Sequence, residues 1–345
     1  MHPRLLLLRE SGTNPWHNLA LEDQLLAALA GPEPPADAIL YLWQNDHTVV
    51  IGRNQNAWSE CHTALLEEEG GRLARRTTGG GAVYHDLGNL NFSILLPQRV
   101  FDLDRSFDLI IGVVHELGME AQRSGRNDIL LDGMKFSGNA FRIDRGVGLH
   151  HGTILLNSDY GRLGRYLNVA PEKLAARGIR SVRSRVTNLS AFRPELTVAE
   201  VQDAIERAFI ACYGTGDSPI ERVSPARFTE LPDFAARAAR FASWDWNYGE
   251  SIAFGHEVGE RFDWGLVRLG FIIKDGRVDT ARIHTDALDE AWIRRVEGAW
   301  PGLPFRSQDL AAVLEAEAAD SRDAIGVSRN RMAADLAALI REQGW

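Results

Sequence analysis

Lysine is what this 345-residue chain has least of among its charges: of 38 basic side chains only Lys135, Lys173 and Lys274 are lysines, the rest being arginine. Where arginine is so favoured, a surviving lysine marks a position that suits a compact ammonium better than a planar guanidinium. Cysteine is almost absent as well, and Cys61 and Cys212 are too few and too far apart for a disulfide framework or a zinc cluster, which fits a reducing cytoplasm. No long apolar run occurs. Leu5 to Leu8 is too short for a signal core or a membrane span, so a soluble protein without a membrane partner is expected. A formal net charge of -9 argues against a dedicated nucleic-acid binder, whose surface must neutralise phosphates. Three motif classes are missing too. No Gly-Lys-Ser/Thr closes a P-loop, no Gly-x-Ser-x-Gly elbow occurs, and His115-Glu116 and His256-Glu257 lack the second histidine of a zincin helix. Metallopeptidase and serine-hydrolase chemistry are thereby excluded, and no protein-held metal is expected.

What is present is enough apolar residue, 45%, to bury a substantial core in more than one domain. Asn14-Pro15 ahead of Leu19, Leu21, Leu25, Leu26 and Leu29 predicts a capped helix that Gly31-Pro32 stops. Ile39 to Trp43 and Thr48 to Ile51 read as a strand pair; Phe92 to Leu96, Asp128 to Leu131 and Thr153 to Leu156 read as further strands. Phe107 to Leu117 has helical periodicity, and Thr197 with Glu200 forms a capping box for another helix that Gly214 ends. Gly214 to Pro225 is rich in Gly, Ser and Pro, an Ala-Arg stretch follows near Ala235 to Phe241, and the hinge is placed close to Trp246, giving domains 1–246 and 247–345. The second unit reads as small α+β, with a hairpin around Lys274-Asp275-Gly276 and a closing helix from Arg331 to Arg341.

Two segments carry chemistry. In Arg75-Arg76-Thr77-Thr78-Gly79-Gly80-Gly81-Ala82-Val83-Tyr84-His85-Asp86, three glycines let backbone N–H groups approach an anion, and two arginines supply charge. On these residues alone an anion site and a simple surface turn both stand. In Asp128 to Gly138, Lys135 falls just past a turn at Gly133 and ahead of a Ser-Gly step; an edge charge and a ligand-facing ammonium both fit it. His150-His151-Gly152-Thr153 places adjacent histidines on opposite strand faces, so one of them lines a pocket rather than both binding a metal. From Arg162 to Arg193, Arg162, Arg165, Lys173, Arg177, Arg180, Arg183, Arg185 and Arg193 stand against Glu172 alone, either as a solvated face or as a site for an anion or acidic partner.

Together these segments resemble the lipoate–protein ligase A family of the long bacterial type. The resemblance rests on Asn14 to Ala20, Thr48 to Asn56, Arg75 to Asn89, Met134-Lys135-Phe136-Ser137-Gly138 and Gly178 to Asn188, in the family's order, with Ala242 to Gly249 and Phe262 to Gly265 as the start of its accessory domain. Threonines at 77 and 78 stand where serines are common, and Tyr84 where phenylalanine is. The resemblance implies an α/β catalytic domain of the biotin and lipoate protein ligase fold with a smaller α+β C-terminal accessory domain. It implies an enzyme that joins an acid to an amine through an acyl-adenylate: ATP and Mg²⁺ activate lipoate, or octanoate, as acyl-AMP with release of pyrophosphate. The acyl group then passes to a lysine of a lipoyl domain, in the acyltransferase subunits of 2-oxoacid dehydrogenases or the glycine cleavage carrier protein.

Residue by residue it implies that Lys135 is catalytic and touches both substrates. Arg76, Gly81, Ala82, Val83 and Tyr84 would bind ATP, and Arg76, Thr78 and His151 lipoate. Gly79, Gly80, Asn89, Asp128, Gly138 and Arg183 would support them. Two alternatives remain: an octanoyl or lipoyl transferase of the same fold, and a non-catalytic lipoate-binding protein.

Overall fold

The computed structural model describes residues 2–167, 186–248, 255–274, 277–318 and 328–343. The apolar opening is explained by a strand covered on both sides. In β1 (Leu5–Arg9) and β2 (Ala38–Trp43), Leu5, Leu7, Leu40 and Leu42 enter one core while Leu6, Leu8, Ile39, Tyr41 and Trp43 enter another. Strands buried on both faces need continuous rather than alternating apolar sequence. Between them runs α1 (Pro15–Ala30), as expected. Asn14 Oδ1 accepts from Trp16 N at 3.0 Å, and proline at the first position forfeits no helical hydrogen bond.

The expected strand pair does not form. β3 (Thr48–Ile51) leaves the large sheet and pairs with β4 (Arg72–Arg75) and β5 (Val83–His85) in a separate three-stranded sheet, with α2 (Ala57–Glu60) and α3 (Thr63–Glu68) between β3 and β4. The connection turns the chain away: His47 has φ +42°, and Asn45 is buried between Asn18 and His85 instead of sitting at a hairpin tip.

Then come β6 (Asn89–Pro97), α4 (Leu103–Glu116), β7 (Ala121–Ser124), β8 (Asp128–Leu131), β9 (Met134–Asp144), β10 (Val147–Leu155) and α5 (Tyr160–Tyr166). They are followed by α6 (Val198–Tyr213), β11 (Ile220–Arg222), α7 (Ala226–Thr229), α8 (Phe234–Ala242) and α9 (Trp244–Asn247). The large sheet is eight-stranded in the order β11-β1-β2-β6-β10-β9-β8-β7. On one face α4 and α6 pack over Leu40, Phe92 and Ile94; on the other α1 and α8 pack over Ile39, Tyr41 and Leu95. The capping box of α6 is closed, Thr197 N donating to Glu200 Oε2 at 2.8 Å and Glu200 N to Thr197 Oγ1 at 3.2 Å. β11, inside the Gly/Ser/Pro-rich stretch, is an exposed edge strand parallel to β1.

A second unit follows: the antiparallel sheet of β12 (His256–Phe262), β13 (Gly265–Lys274) and β14 (Arg277–Thr285), then α10 (Glu290–Ala299), α11 (Ser307–Ala318) and α12 (Arg329–Gln343). Its own core holds Trp264, Phe271, Trp292, Trp300, Leu336 and Ile340. The hairpin expected around Lys274 is β13–β14, and its turn, 275–276, lies outside the described residues. Among the described residues no helix is long and apolar enough to cross a membrane.

Candidate functional site

A cavity of about 590 Å³, its open mouth included, lies between the large sheet, α1 and the glycine loop that joins β4 to β5. Leu19, Trp43, Val50 and Val83 give it an apolar body, and Lys135, Gly138, Gly80 and Gly81 also line it. Leu19, Trp43 and Val50 are buried, whereas the Lys135 side chain is 32% exposed, so one end is closed and Lys135 stands at the other.

The chain positions Lys135 from both sides. The β8–β9 turn, with Asp132 at φ +50° and Gly133 at φ +73°, brings it back beside β8, where Nζ lies 2.7 Å from Asp128 Oδ1. That contact is one of charge, off the line of a hydrogen bond. The ammonium bends over Gly138, where a Cβ would come within 2.9 Å of Nζ, so the Ser-Gly step is what lets the lysine lie flat. Thr187 N donates to Lys135 O at 2.9 Å, and Val186 bridges Lys135 in parallel. Val186 and Thr187, within the basic stretch, therefore clasp the lysine's backbone.

The glycine loop is held from behind. Arg76 is buried, and its guanidinium donates to Gly79 O at 2.6 Å, Gly81 O at 2.9 Å and Thr78 Oγ1 at 3.1 Å. Burial lowers its pKa to about 10, which leaves it cationic at neutral pH behind a loop whose backbone it shapes. Gly79 has a different reason to be glycine: a Cβ there would overlap the Ala287 carbonyl and the Leu288 Cα of the second unit. Leu288 packs on Ala140 and Phe141, and Thr285 N donates to Asn54 O at 3.0 Å, so the β14–α10 loop rests on the glycine loop. Gly80, at φ +92°, adopts a backbone that other residues avoid.

Behind the cavity a buried hydrogen-bond chain links α1 to this loop. Thr78 Oγ1 lies 2.7 Å from His151 Nε2, His151 Nδ1 2.8 Å from Glu22 Oε1, and Ser93 Oγ donates to Glu22 Oε1 at 2.5 Å while accepting from Trp43 Nε1 at 3.0 Å. With Glu22 accepting, the His151 proton sits on Nδ1 and the Thr78 hydroxyl donates to Nε2. The chain links Glu22 through His151 to Thr78, whose Oγ1 also accepts from Arg76 Nε.

The structure thus gathers Arg76, Thr78, Gly79, Gly80, Gly81, Ala82, Val83, Asp128, Lys135, Gly138 and His151 at or around the cavity. It does not bring in the side chains of Tyr84 or Asn89. Strand alternation sends Tyr84 to the far side of β5, against Tyr166 and Leu163, and Asn89 is buried with Nδ2 on Asn91 Oδ1. Arg183 lies outside the described residues, as do residues 168–185 of the basic stretch; Arg162, Arg165 and Arg193 each face a carboxylate. His150 turns away from the cavity onto Asn139, Phe92 and Phe107, as the alternation predicted. Sequence reading passed over Glu22, Trp43, Ser93 and His85. For Glu22 the signal was a carboxylate on the helix face of Leu19 and Leu26; for His85 it was its position two residues after Val83.

Comparison with known proteins decides the family. The model of the lipoyl protein ligase A/B catalytic domain matches residues 14–210, and that of the bacterial lipoate protein ligase C-terminus matches 251–339. The chain belongs to the lipoyl protein ligase A/B family. Among solved members, P. falciparum LipL1 in complex with lipoate is 28% identical with a TM-score of 0.82, covering 98% of this chain and 99% of that one. A bi-partite lipoate protein ligase of Thermoplasma acidophilum, solved in a study of that ligase and its E2 lipoyl domain, is 28% identical with a TM-score of 0.60 over 74% of this chain and 100% of its own. A lipoate–protein ligase A bound with ATP is 27% identical with a TM-score of 0.58 over 73% and 100%. The fold is therefore the lipoate and biotin ligase fold, and the second unit is the ligase C-terminal domain.

Proposed function

We propose that this ligase activates lipoate with ATP as lipoyl-AMP and transfers the lipoyl group to a lysine of lipoyl-domain proteins. The observation that carries the reading is the cavity itself, apolar where it is buried and bearing one ammonium, Lys135, beside a glycine loop that a buried arginine shapes. An acid with an apolar tail fits that polarity in one direction only, carboxylate at Lys135. Relatives bound to lipoate and to ATP, and one studied with its E2 lipoyl domain, support the same substrates and a lipoyl-domain acceptor.

In the first step the carboxylate oxygen attacks the α-phosphorus, forming the mixed anhydride, and the bond to the β-phosphate breaks to release pyrophosphate. Lys135 and the backbone N–H groups from Gly81 to Tyr84, where the glycine loop runs into β5, counter the charge that develops on the phosphoryl oxygens. Lys135 meets Asp128 in this structure; were Lys135 to turn to the substrates, Asp128 would be the neighbouring carboxylate that could take a Mg²⁺ carried by the nucleotide phosphates, since Mg²⁺ takes one or two carboxylates besides phosphate oxygens. In the second step the acceptor lysine attacks the acyl carbon and AMP leaves, so no protein nucleophile is required. Cys61 is buried with its thiol pushed up to about 12, and neither cysteine lines the cavity, which disfavours a cysteine-dependent acyl transferase. We place the division between the catalytic and accessory domains near Trp246, in the gap between the two family matches.

The test is to incubate the purified chain with lipoate, Mg²⁺ and ATP and to follow lipoate-dependent pyrophosphate exchange, lipoyl-AMP, and the mass of an added lipoyl domain. Absence of exchange and adenylate, with acyl transfer from a carrier thioester, would replace the ligase reading by the transferase one.

A further inference from the structure

The polar side chains buried in the cavity wall are committed elsewhere, with one exception. Trp43 Nε1 donates to Ser93, both ring nitrogens of His151 are engaged, and Asn91 and Asn139 have amide and carbonyl partners. His85 lines the same cavity, is 3% exposed, and its Nε2 has no hydrogen-bond partner among the described residues. A buried donor left unmatched costs about 1–3 kcal/mol, so its persistence on a cavity wall calls for an occupant.

The neighbours fix what that nitrogen is. Asn18 Nδ2 is surrounded by three acceptors, Gly12 O, Gln44 O and Asn45 Oδ1, the last at 3.1 Å. With its oxygen so placed, Asn45 presents Nδ2 to His85 Nδ1 at 3.1 Å. Nδ1 must accept, so the proton is on Nε2. Burial, with the Arg76 charge beside it, holds the His85 pKa down to about 3, so the ring is a neutral donor at every working pH. A neutral N–H shut away from water is a poor match for a carboxylate, which the Lys135 ammonium serves at the exposed end. It matches a weak, polarisable acceptor on an otherwise apolar tail. Sulfur is such an acceptor and a methylene is none.

We propose that His85 Nε2–H recognises the sulfur-bearing end of the acyl substrate, so that the cavity selects a cyclic disulfide over an all-carbon tail of the same shape. The inference rests on the lipoate reading above and adds to it the residue that tells lipoate from its carbon analogues. His85 is a specificity determinant remote from the reacting carboxylate, so it acts on the choice of acid and leaves the chemistry to Lys135.

The experiment compares two acids of one shape, lipoate and 5-cyclopentylpentanoate, in which methylenes replace both sulfurs, by their kcat/KM for pyrophosphate exchange with the full chain. Wild type is expected to prefer lipoate by roughly three- to tenfold, the scale of one weak hydrogen bond. His85→Phe should bring the ratio close to one, and His85→Gln, whose amide reaches a similar point, should retain part of the preference. A wild-type ratio of one would overturn the inference without any appeal to a variant, and so would a preference that survives in a folded His85→Phe protein. Failure of wild type to use either acid would instead overturn the proposed function, and this inference with it.

Discussion

Arg75 and Asn247 grip each other through main chain and side chain at once. Arg75 N donates to Asn247 Oδ1 at 2.9 Å, while Arg75 Nη2 donates to Asn247 O at 2.8 Å. The same guanidinium donates to the carbonyls of Trp246, Gly52, Arg53 and Gln55, and Trp246 Nε1 returns a bond to Arg75 O at 2.8 Å. The end of α9, the last described helix before the second unit in the chain, is thus fastened to the strand that leads into the glycine loop.

Replacing Arg75 by methionine keeps most of the volume and strands several buried carbonyls. Each unmatched group costs about 1–3 kcal/mol, so a loss of about 3 kcal/mol or more in urea unfolding is expected. Unchanged stability would show the carbonyls re-satisfied by water.

Lys135→Ala should lower lipoate-dependent pyrophosphate exchange by roughly two to three orders of magnitude, the scale of losing one preorganised charged donor. Transfer from chemically prepared lipoyl-AMP should fall much less, because that anhydride is already activated. Equal losses in both assays would place Lys135 in binding the acyl group rather than in forming the anhydride.

Glu22→Ala removes the acceptor for both His151 and Ser93 and leaves Arg76 without its compensating carboxylate. Destabilisation of about 2–4 kcal/mol is expected. Thr78→Ser keeps the hydroxyl link and should sit near wild type, while Thr78→Val should raise the KM for ATP by loosening the glycine loop. Equal behaviour of the two Thr78 variants would count against the chain of hydrogen bonds.

Acid should weaken the fold through its buried histidines. His85 and His150 are held down to about 3 by burial, and His284 to about 4. Between those values and the ordinary histidine value near 6.5, the unfolded chain binds protons that the folded one does not, so stability is complete above about pH 6.5 and declines as pH falls. Each such histidine contributes a slope of up to about 1.4 kcal/mol per pH unit. Urea unfolding at pH 7.5 and pH 5.5 measures the slope, and His150→Asn should flatten it; an equal slope in that variant would assign the effect to other groups.

How much of this was legible in the sequence varies with the reach of the force involved. Helix α1, its Asn14 cap and the capping box at Thr197 and Glu200 depend on residues within one turn, and they read correctly. The β2–β3 pairing did not, because Asn45 looks like a turn residue locally while its amide is needed by Asn18 and His85, which only the tertiary structure brings near. β11 stayed hidden since Ile220 to Arg222 becomes a strand only by pairing with β1. At the site, spacing left Lys135 undecided between an edge charge and a ligand group, and family resemblance supplied its role. Arg76 was expected to face an anion, and its donors go to the loop's own carbonyls, a choice no local pattern reveals. The resemblance puts Tyr84 in the segment that wraps the nucleotide, and the alternation of β5 packs its ring away from the cavity, leaving its backbone for that part.

The contact of Gly79 with Ala287 and Leu288 bears on how such proteins can be recombined. The two halves share a surface fitted to the absence of a single methyl group, so neither half is a freely exchangeable module. A hybrid that joins this catalytic half to a relative's C-terminal half inherits the fit only if the incoming β14–α10 loop follows the same path. Loss of activity in such a hybrid, or in a Gly79 variant, would therefore report on the seam between halves as much as on the nucleotide.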